Sequence, residues 1–276
     1  MKEFAVVIGC DKDIPFNYTI NDIDTLKAVK KAGFKKVFLS FKYGGWSAHQ
    51  EYMYQQCKEL GLEVVFIHLP YITDREIETI WYEDDHGDAV IDGYIKDLTK
   101  IKKLGINKVV MHASSSKIRP ELTEIGLTRL KRLIKHAEKI GMTIAIENTV
   151  WPGVLEYIFD SISSPNLKVC YDAGHDHAFF HDSFDWQRFK DLIILTHLHD
   201  NDQSYDQHLI PFDGNIDWKR ILQELIKANY DFNLITESVY RDAYTGVCTP
   251  LMFYKKLYKN MKSLQKIMDK EKAHIV

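Results

Sequence analysis

Short continuous apolar runs alternate with amphipathic stretches from one end of the chain to the other. Phe4–Gly9, Lys36–Phe41, Leu62–Leu69, Asn107–His112, Met142–Glu147, Leu167–Asp172, Leu192–His199 and Phe232–Glu237 read as strands. They are rich in Val and Ile and lack an alternating polar face, as expected of parallel strands buried on both sides. Between them, helical spacing predicts helices over Asp22–Ala32, Ala48–Leu60, Asp88–Leu104, Thr123–Ile140, Val154–Ser161, Trp186–Lys190 and Trp218–Ala228, and one from about Thr249 to the end. Gly33, Gly61, Gly105 and Gly141 follow four of these helices directly, where a left-handed residue ends a helix. Eight strand–helix units in 276 residues fit a single-domain (β/α)8 TIM barrel spanning 1–276. A doubly wound open sheet shares the periodicity and is the alternative. Two connections are long, Pro70–Gly87 and Asp200–Asn215. Both follow strands, so both belong to the C-terminal mouth, where barrel enzymes place their chemistry.

Composition narrows the class. A 45% hydrophobic chain with formal charge -3 is globular and has no net attraction for nucleic acid. No stretch is long and apolar enough to span a membrane, and the run before Asp11 is too short for a signal peptide. Cys10, Cys57, Cys170 and Cys248 form no C-x-x-C pair, which predicts reduced thiols in a cytoplasmic protein. The unusual count is 12 histidines.

Those histidines are not scattered. The last residues of strands three to eight are His68, His112, Glu147, Asp172, His197 with His199, and Glu237. In a closed barrel these positions ring one mouth. His175, Asp206 and His208 follow in loops that reach the same place. Imidazole and carboxylate are ligands that Zn, Mn, Co and Fe accept, and a bound cation relieves the repulsion among clustered carboxylates. Taken singly, a strand-end His is more often a hydrogen-bonded structural residue, and a strand-end Asp is often a helix cap. Six consecutive strands with the same ending outweigh that.

The ordered set IENT (146–149), YDAGH (171–175), HLHDND (197–202), DQHLIPFDGNIDW (206–218) and TES (236–238) resembles the xylose-isomerase-like TIM barrel superfamily of sugar isomerases and epimerases, inosose dehydratases and endonuclease IV enzymes. The resemblance implies a central divalent metal held by Glu147, Asp172, His197 and Glu237. His197 with Asp200 fits the family's H-x-x-D/E pattern, and His199 is the second candidate for that ligand. The endonuclease IV branch carries further metals. Its extra positions match His68 and His112 for one, and His175, Asp206 and His208 for another, so one to three metals per chain are expected.

Two activities follow. The first is a sugar or sugar-phosphate isomerase or epimerase. A metal acts as Lewis acid on a carbonyl and its neighbouring hydroxyl, and Glu147 and Glu237 remove and return the proton. His175 and His199 hold substrate oxygens, and Trp46, Tyr71 and Trp151 wall a sugar ring. The second is an endonuclease IV-like multi-metal phosphoesterase, with inosose-type dehydration as a further outcome of the same enolate chemistry. Nucleic acid is disfavoured because Asp74–Asp92 holds eight carboxylates and only Arg75 beside the expected mouth. Ser114–Ser116 and Lys117 offer a phosphate contact, though a solvated loop explains them as well. The expected partner is a small carbohydrate. A homo-oligomer and a binding protein without catalysis are both left open by the sequence.

Overall fold

The computed structural model describes residues 3–9, 22–41, 45–70, 77–114, 119–241 and 243–275. Eight parallel strands form one sheet: β1 (Ala5–Gly9), β2 (Lys36–Ser40), β3 (Glu63–His68), β4 (Lys108–Met111), β5 (Thr143–Glu147), β6 (Leu167–Asp172), β7 (Ile193–His197) and β8 (Ile235–Thr236). Each pairs with its sequence neighbour from β1 to β7, and β8 returns to pair with β1 through Ala5↔Ile235 and Val6↔Thr236. Across the remaining seam, the Leu198 N–H donates to Ile235 O (2.9 Å) and the Ile235 N–H to Thr196 Oγ1 (3.2 Å). The sheet therefore curls into a nearly closed TIM barrel.

Helices α1 (Asp22–Ala32), α2 (Ala48–Glu59), α3 (Asp85–Lys103), α4 (Glu124–Ile140), α5 (Val154–Ser161), α6 (Ala173–Phe179), α7 (Trp186–Phe189), α8 (Trp218–Lys227) and α9 (Pro250–Ile275) alternate with the strands. Their ends follow capping chemistry. Ser47 and Gln50 make a capping box at α2, Thr123 accepts from the Gly126 N–H at α4, and Gly141 ends α4 at φ 65°. The long α9 packs on α1 and α8 and closes the helical ring.

Strand alternation decides what lines the barrel. Phe38, Phe66, Val110, Ala145, Cys170 and Leu195 belong to one inner apolar cluster. Residues two positions away share that face. Two positions toward the C-terminal mouth stand Ser40, His68, His112, Glu147, Asp172 and His197; two positions toward the floor of β2, β4 and β6 stand Lys36, Lys108 and Lys168.

Three differences from the expected elements bear on the site. A 3-10 helix occupies Ile77–Trp81 inside the expected loop. The expected strand Phe232–Glu237 pairs only over Ile235–Thr236. The short helix α6 begins directly after β6, with Asp172 as its N-cap. Among the described residues, no helix is long and apolar enough to cross a membrane, and Cys57, Cys170 and Cys248 are free thiols.

Candidate metal centre

The residues named at the strand ends come together. Glu147, Asp172, His197 and Glu237, all buried, offer ligand atoms within 4.8 Å of one another. His197 stacks flat on Phe38, at 5.0 Å between centroids and 7°, so the inner core fixes its ring plane. Its Nδ1 lies 3.0 Å from Glu147 Oε1 and 3.2 Å from Glu237 Oε2.

Glu147 is the hub. Its Oε2 meets His68 Nε2 and His112 Nε2, both at 3.1 Å, and its Oε1 lies 3.4 Å from His175 Nδ1. The His68 contact is informative. Leu69 O, 2.8 Å from His68 Nδ1, can only accept, so Nδ1 carries a proton. In the neutral ring, His68 Nε2 then presents a lone pair to a carboxylate oxygen. That contact needs either a second proton or a cation in the gap. His68, Glu147 and His197 form one of the groups whose geometry suits an ion.

A second constellation surrounds Asp206. Its Oδ2 lies 2.7 Å from His208 Nε2 and 3.6 Å from His175 Nε2, and its Oδ1 lies 3.6 Å from His199 Nδ1. His199 is fully buried, stacked on His208 at 4.2 Å and 14°, with Nε2 3.0 Å from Asp172 Oδ2. Groups of Asp172, His175 and His199, and of His199, His208 and Glu237, also have ligand atoms within 4.8 Å.

Electrostatics of the cation-free site follow from this packing. Burial alone would raise the Glu147 carboxyl, but His197 and His112 hold it well below the usual range. Against the same opposing burial, His197 keeps Glu237 down to about 2. His208 and His199 likewise hold Asp206 low. Burial would lower His197, yet Cys170, Glu147 and Glu237 lift it well above 6.5. His175 is lifted well above its ordinary value by Asp172 and Asp206. For His112 burial wins and the pKa falls. Without a cation, protons on the histidines balance the carboxylates.

Asn148, Asp200 and Gly214 fall within the motifs quoted above, but the contacts by which they place this site emerge only in the fold. Asn148 clamps β5 to β6: its Nδ2 donates to Asp172 O (2.9 Å), its Oδ1 accepts from the Asp172 N–H (2.8 Å), and its carbonyl accepts from His175 Nδ1 (2.9 Å). Asp200 organises the loop that delivers Asp206 and His208. It accepts from the Asn201, Phe212 and Ile216 N–H groups and from Trp218 Nε1, at 2.8–3.2 Å. A Cβ at Gly214 would collide with Asp200 and the Asn201 backbone, so only glycine lets the loop pass there.

Of the expected aromatic wall, Trp46 and Trp151 lie within the described residues. Trp46 is buried, edge-on to Phe41. Trp151 is half-buried beneath Arg119, 6.0 Å away. Tyr71 lies outside the described residues, as do Ser115, Ser116 and Lys117. The acidic stretch is also less bare than its sequence suggests. Asp74, Arg75 and Glu76 lie outside the described residues, and Glu78 is buried. Asp84 caps α3. Asp88 pairs with Arg129 (2.8 Å) and Arg132 (2.9 Å), and Asp92 with Arg132 (2.9 Å). Two arginines from α4 thus offset two of the charges expected to repel a duplex.

Known proteins agree with this barrel. The chain is similar to protein y4fM of Sinorhizobium fredii, 34% identical over 102 residues, 34% of this chain and 33% of that protein. It therefore matches only about a third of the length of that curated relative. Its fold is similar to a D-tagatose 3-epimerase-like protein (TM-score 0.73, 18% identity, 98% of this chain and 99% of that one). It is also similar to the IOLI protein solved with a zinc atom (TM-score 0.69, 15% identity, 98% and 99%). At such identities these likenesses establish the fold alone. A family model covers the strand ends and both histidine constellations: the chain belongs to the xylose isomerase-like TIM barrel family, matched over residues 26–264.

Proposed function

We propose that the chain is a metal-dependent sugar or sugar-phosphate isomerase or epimerase. One observation carries the reading: two mouth carboxylates, Glu147 and Glu237, flank His197 and Asp172 within a common ligand-sized space. The donor set fits a divalent cation, since all four are N/O ligands on rigid strand ends. His68 Nε2, facing a carboxylate with no proton to share in its neutral form, supports the same fit. Glu147, Asp172, His197 and Glu237 would hold the ion, which when bound supplies Lewis acidity that weakens the substrate C–H bond.

The two carboxylates divide the proton work unequally. Glu237 has the more open side chain, about 10% exposed, while that of Glu147 is fully enclosed by imidazoles. Glu237 is therefore the better placed to take the proton from the substrate carbon, and its low pKa keeps it ionised and ready to accept. For isomerisation Glu237 hands the same proton to the adjacent carbon; for epimerisation Glu237 keeps it, and Glu147 delivers to the opposite face a proton passed to it by the charged imidazole of His175, 3.4 Å away. His175, lifted toward its charged form by Asp172 and Asp206 against the effect of burial, is placed to donate to a substrate oxygen. Burial of the set excludes water from the reacting carbon.

Glu237→Gln removes the base and keeps the shape. Turnover on ketoses and their phosphates should fall about 10²–10⁴-fold with the circular dichroism unchanged. Wild-type turnover in deuterium oxide should place solvent deuterium on the substrate carbon. Full activity in Glu237→Gln, or turnover without exchange at any stage, would remove the proton-transfer reading. The Asp206 constellation favours a second reading, a multi-metal phosphoesterase of the endonuclease IV type. Cleavage of abasic-site DNA at rates above those on sugars would put that reading first.

A further inference from the structure

We propose that Arg119, stacked on Trp151, binds an oxyanion carried by the substrate, a terminal phosphate ester or a carboxylate, so that the chain acts on an anionic sugar. This narrows the reading of the mouth as a sugar isomerase or epimerase and rests on it.

The position of the pair matters first. Arg119 belongs to the loop after β4 and Trp151 to the loop after β5. The strands beneath them lead into His112 and Glu147, whose side chains meet at 3.1 Å. Trp151 follows Glu147 by four residues, so their Cα atoms are at most about 14 Å apart. Ser114 and Thr149, both buried, join the two loops through their hydroxyls at 2.7 Å. Ser114 is thereby engaged in the interior, where it ties the loops together and presents nothing to a phosphate.

The partners of the other arginines set Arg119 apart. Arg129, Arg132, Arg188 and Arg220 each pair with an aspartate, and Arg241 donates to Asp206 O at 3.5 Å. Arg75 lies outside the described residues. Arg119 is exposed, and among the described residues its guanidinium meets no carboxylate. Its contact is the Trp151 ring, with Cζ 6.0 Å from the centroid, within reach of a cation–π attraction. Carboxylates are plentiful at the mouth, but Glu147, Asp172, Asp206 and Glu237 each meet an imidazole at 2.7–3.2 Å. A guanidinium folded onto one of them would be neutralised. Held on the indole, Arg119 keeps its charge available.

The chemistry of a stacked arginine then selects the ligand. The indole restrains a flexible side chain and covers one flat face of the guanidinium. The N–H fork at its edge stays open, and that fork matches two oxygens of a phosphate or carboxylate. A sugar with such a group at its far end has several bonds between the anion and the reacting carbon. Arg119 would hold the anion at the rim while the reacting carbon lies at Glu237. Trp151, expected to wall the sugar ring, instead carries the residue that anchors the other end of the substrate. An anchor remote from the chemistry holds ground state and transition state alike, so it lowers KM and leaves kcat to the carboxylates.

The test assays the full chain with Mn²⁺ on a neutral ketose, the same ketose with a terminal phosphate, and a keto sugar acid with a terminal carboxylate. The wild type should favour an anionic substrate over the neutral one by about 10-fold or more in kcat/KM. Whichever anion is favoured identifies the source of the oxygens. In Arg119→Gln the ratio of anionic to neutral kcat/KM should fall about 10–100-fold, carried by KM. Arg119→Lys keeps the charge and loses the planar fork, so its ratio should lie between the two. Arg119 is exposed, so both variants should fold as the wild type does. An unchanged ratio in Arg119→Gln, including one in which both substrates lose equally, overturns the inference and leaves the isomerase or epimerase reading standing. A wild type that favours the neutral ketose does the same. Turnover of none of these substrates removes the proposed function together with this inference.

Discussion

The two ends of the barrel are built by the same rule and behave differently. From the inner cluster, two positions toward the C-terminus give His68, His112, Glu147, Asp172 and His197; two positions toward the N-terminus give Lys36, Lys108 and Lys168. At the mouth, the loop after β7 brings Asp206 and His208 to the strand ends, and the polar groups are buried against one another. At the floor the lysines reach solvent. Lys36 pairs with Glu63 at 3.0 Å and Glu3 at 3.6 Å, both well exposed, and such pairs contribute about 0–1 kcal/mol. Alternation places charged residues at both ends, and enclosure is what turns one set into a candidate centre.

The sharpest test of the difference is Glu147→Gln. A neutral amide cannot balance or ligate beside His68, His112, His175 and His197. Bound metal should be lost and turnover should fall about 10²–10⁴-fold, read by elemental analysis and kcat/KM on one preparation. The acidity of the site adds a pH signature. Metal competes with the protons that His175 and His197 hold at raised pKa, so apparent metal affinity should climb as pH rises above 6.5 and release protons.

Next in size is Asp200→Ala. It strips the acceptor from three buried donors and the part-buried Phe212 N–H, and unsatisfied buried donors cost about 1–3 kcal/mol each. A loss on the order of 4 kcal/mol or more in urea unfolding is expected, with new protease cleavage between residues 202 and 207. Asp200→Asn keeps an acceptor and should recover part of it. Equal stability of Asp200→Ala and wild type would show that the loop holds itself.

Much of this architecture is legible in the sequence because buried parallel strands leave a strong trace: the Val/Ile runs, and the same chemistry repeated at successive strand ends. What is not legible depends on distant partners. Nothing in Asp88 or Asp92 announces Arg129 and Arg132 some forty residues away. Asn148 looks like one polar residue in a loop until its two-way bond with Asp172 is seen. The helix α6 escapes pattern reading because AGHDHAF has no apolar stripe, and it exists because Asp172 accepts from the His175 N–H at 2.6 Å. For Asp172 the mundane role of helix cap and the chemical role proposed here fall on the same carboxylate. The expected eighth strand pairs only over Ile235–Thr236, and just before it Tyr230 Oη–H donates to Asn233 O at 2.8 Å, a contact no local pattern announces.

A smaller effect is expected at the mouth's outer edge. Asp97, buried on α3, accepts from the Trp46 N–H at 2.9 Å and so fixes the loop entering α2. Burial raises its pKa to about 6, against the opposing Trp46 and Lys100 contacts. A carboxyl whose folded pKa is raised stabilises the fold below its unfolded value of about 4, and that contribution is lost as pH rises through about 6. Asp97→Asn retains an acceptor and cannot ionise. It should be more stable than wild type at pH 8, by on the order of 3 kcal/mol at most, and equal to it near pH 4. A constant difference across that range would exclude Asp97 as the titrating group.

At the floor the same kind of change should do almost nothing, which is the other half of the comparison. Lys108 lies over the Phe232 ring at 5.1 Å, and burial together with Lys36 lowers its pKa. A lysine whose folded pKa is depressed costs stability at neutral pH, and the cost fades as pH rises through the folded value toward 10.5. Lys108→Met keeps the stem and removes the charge. Because the group is partly exposed, solvent screening should hold the gain below about 1 kcal/mol. Urea midpoints should show the variant slightly ahead at pH 7 and level with wild type at pH 10, with kcat/KM unchanged. A large loss of turnover would mean that the floor communicates with the mouth through the inner layer of Val110 and Cys170, and that the barrel's two ends cannot be treated separately.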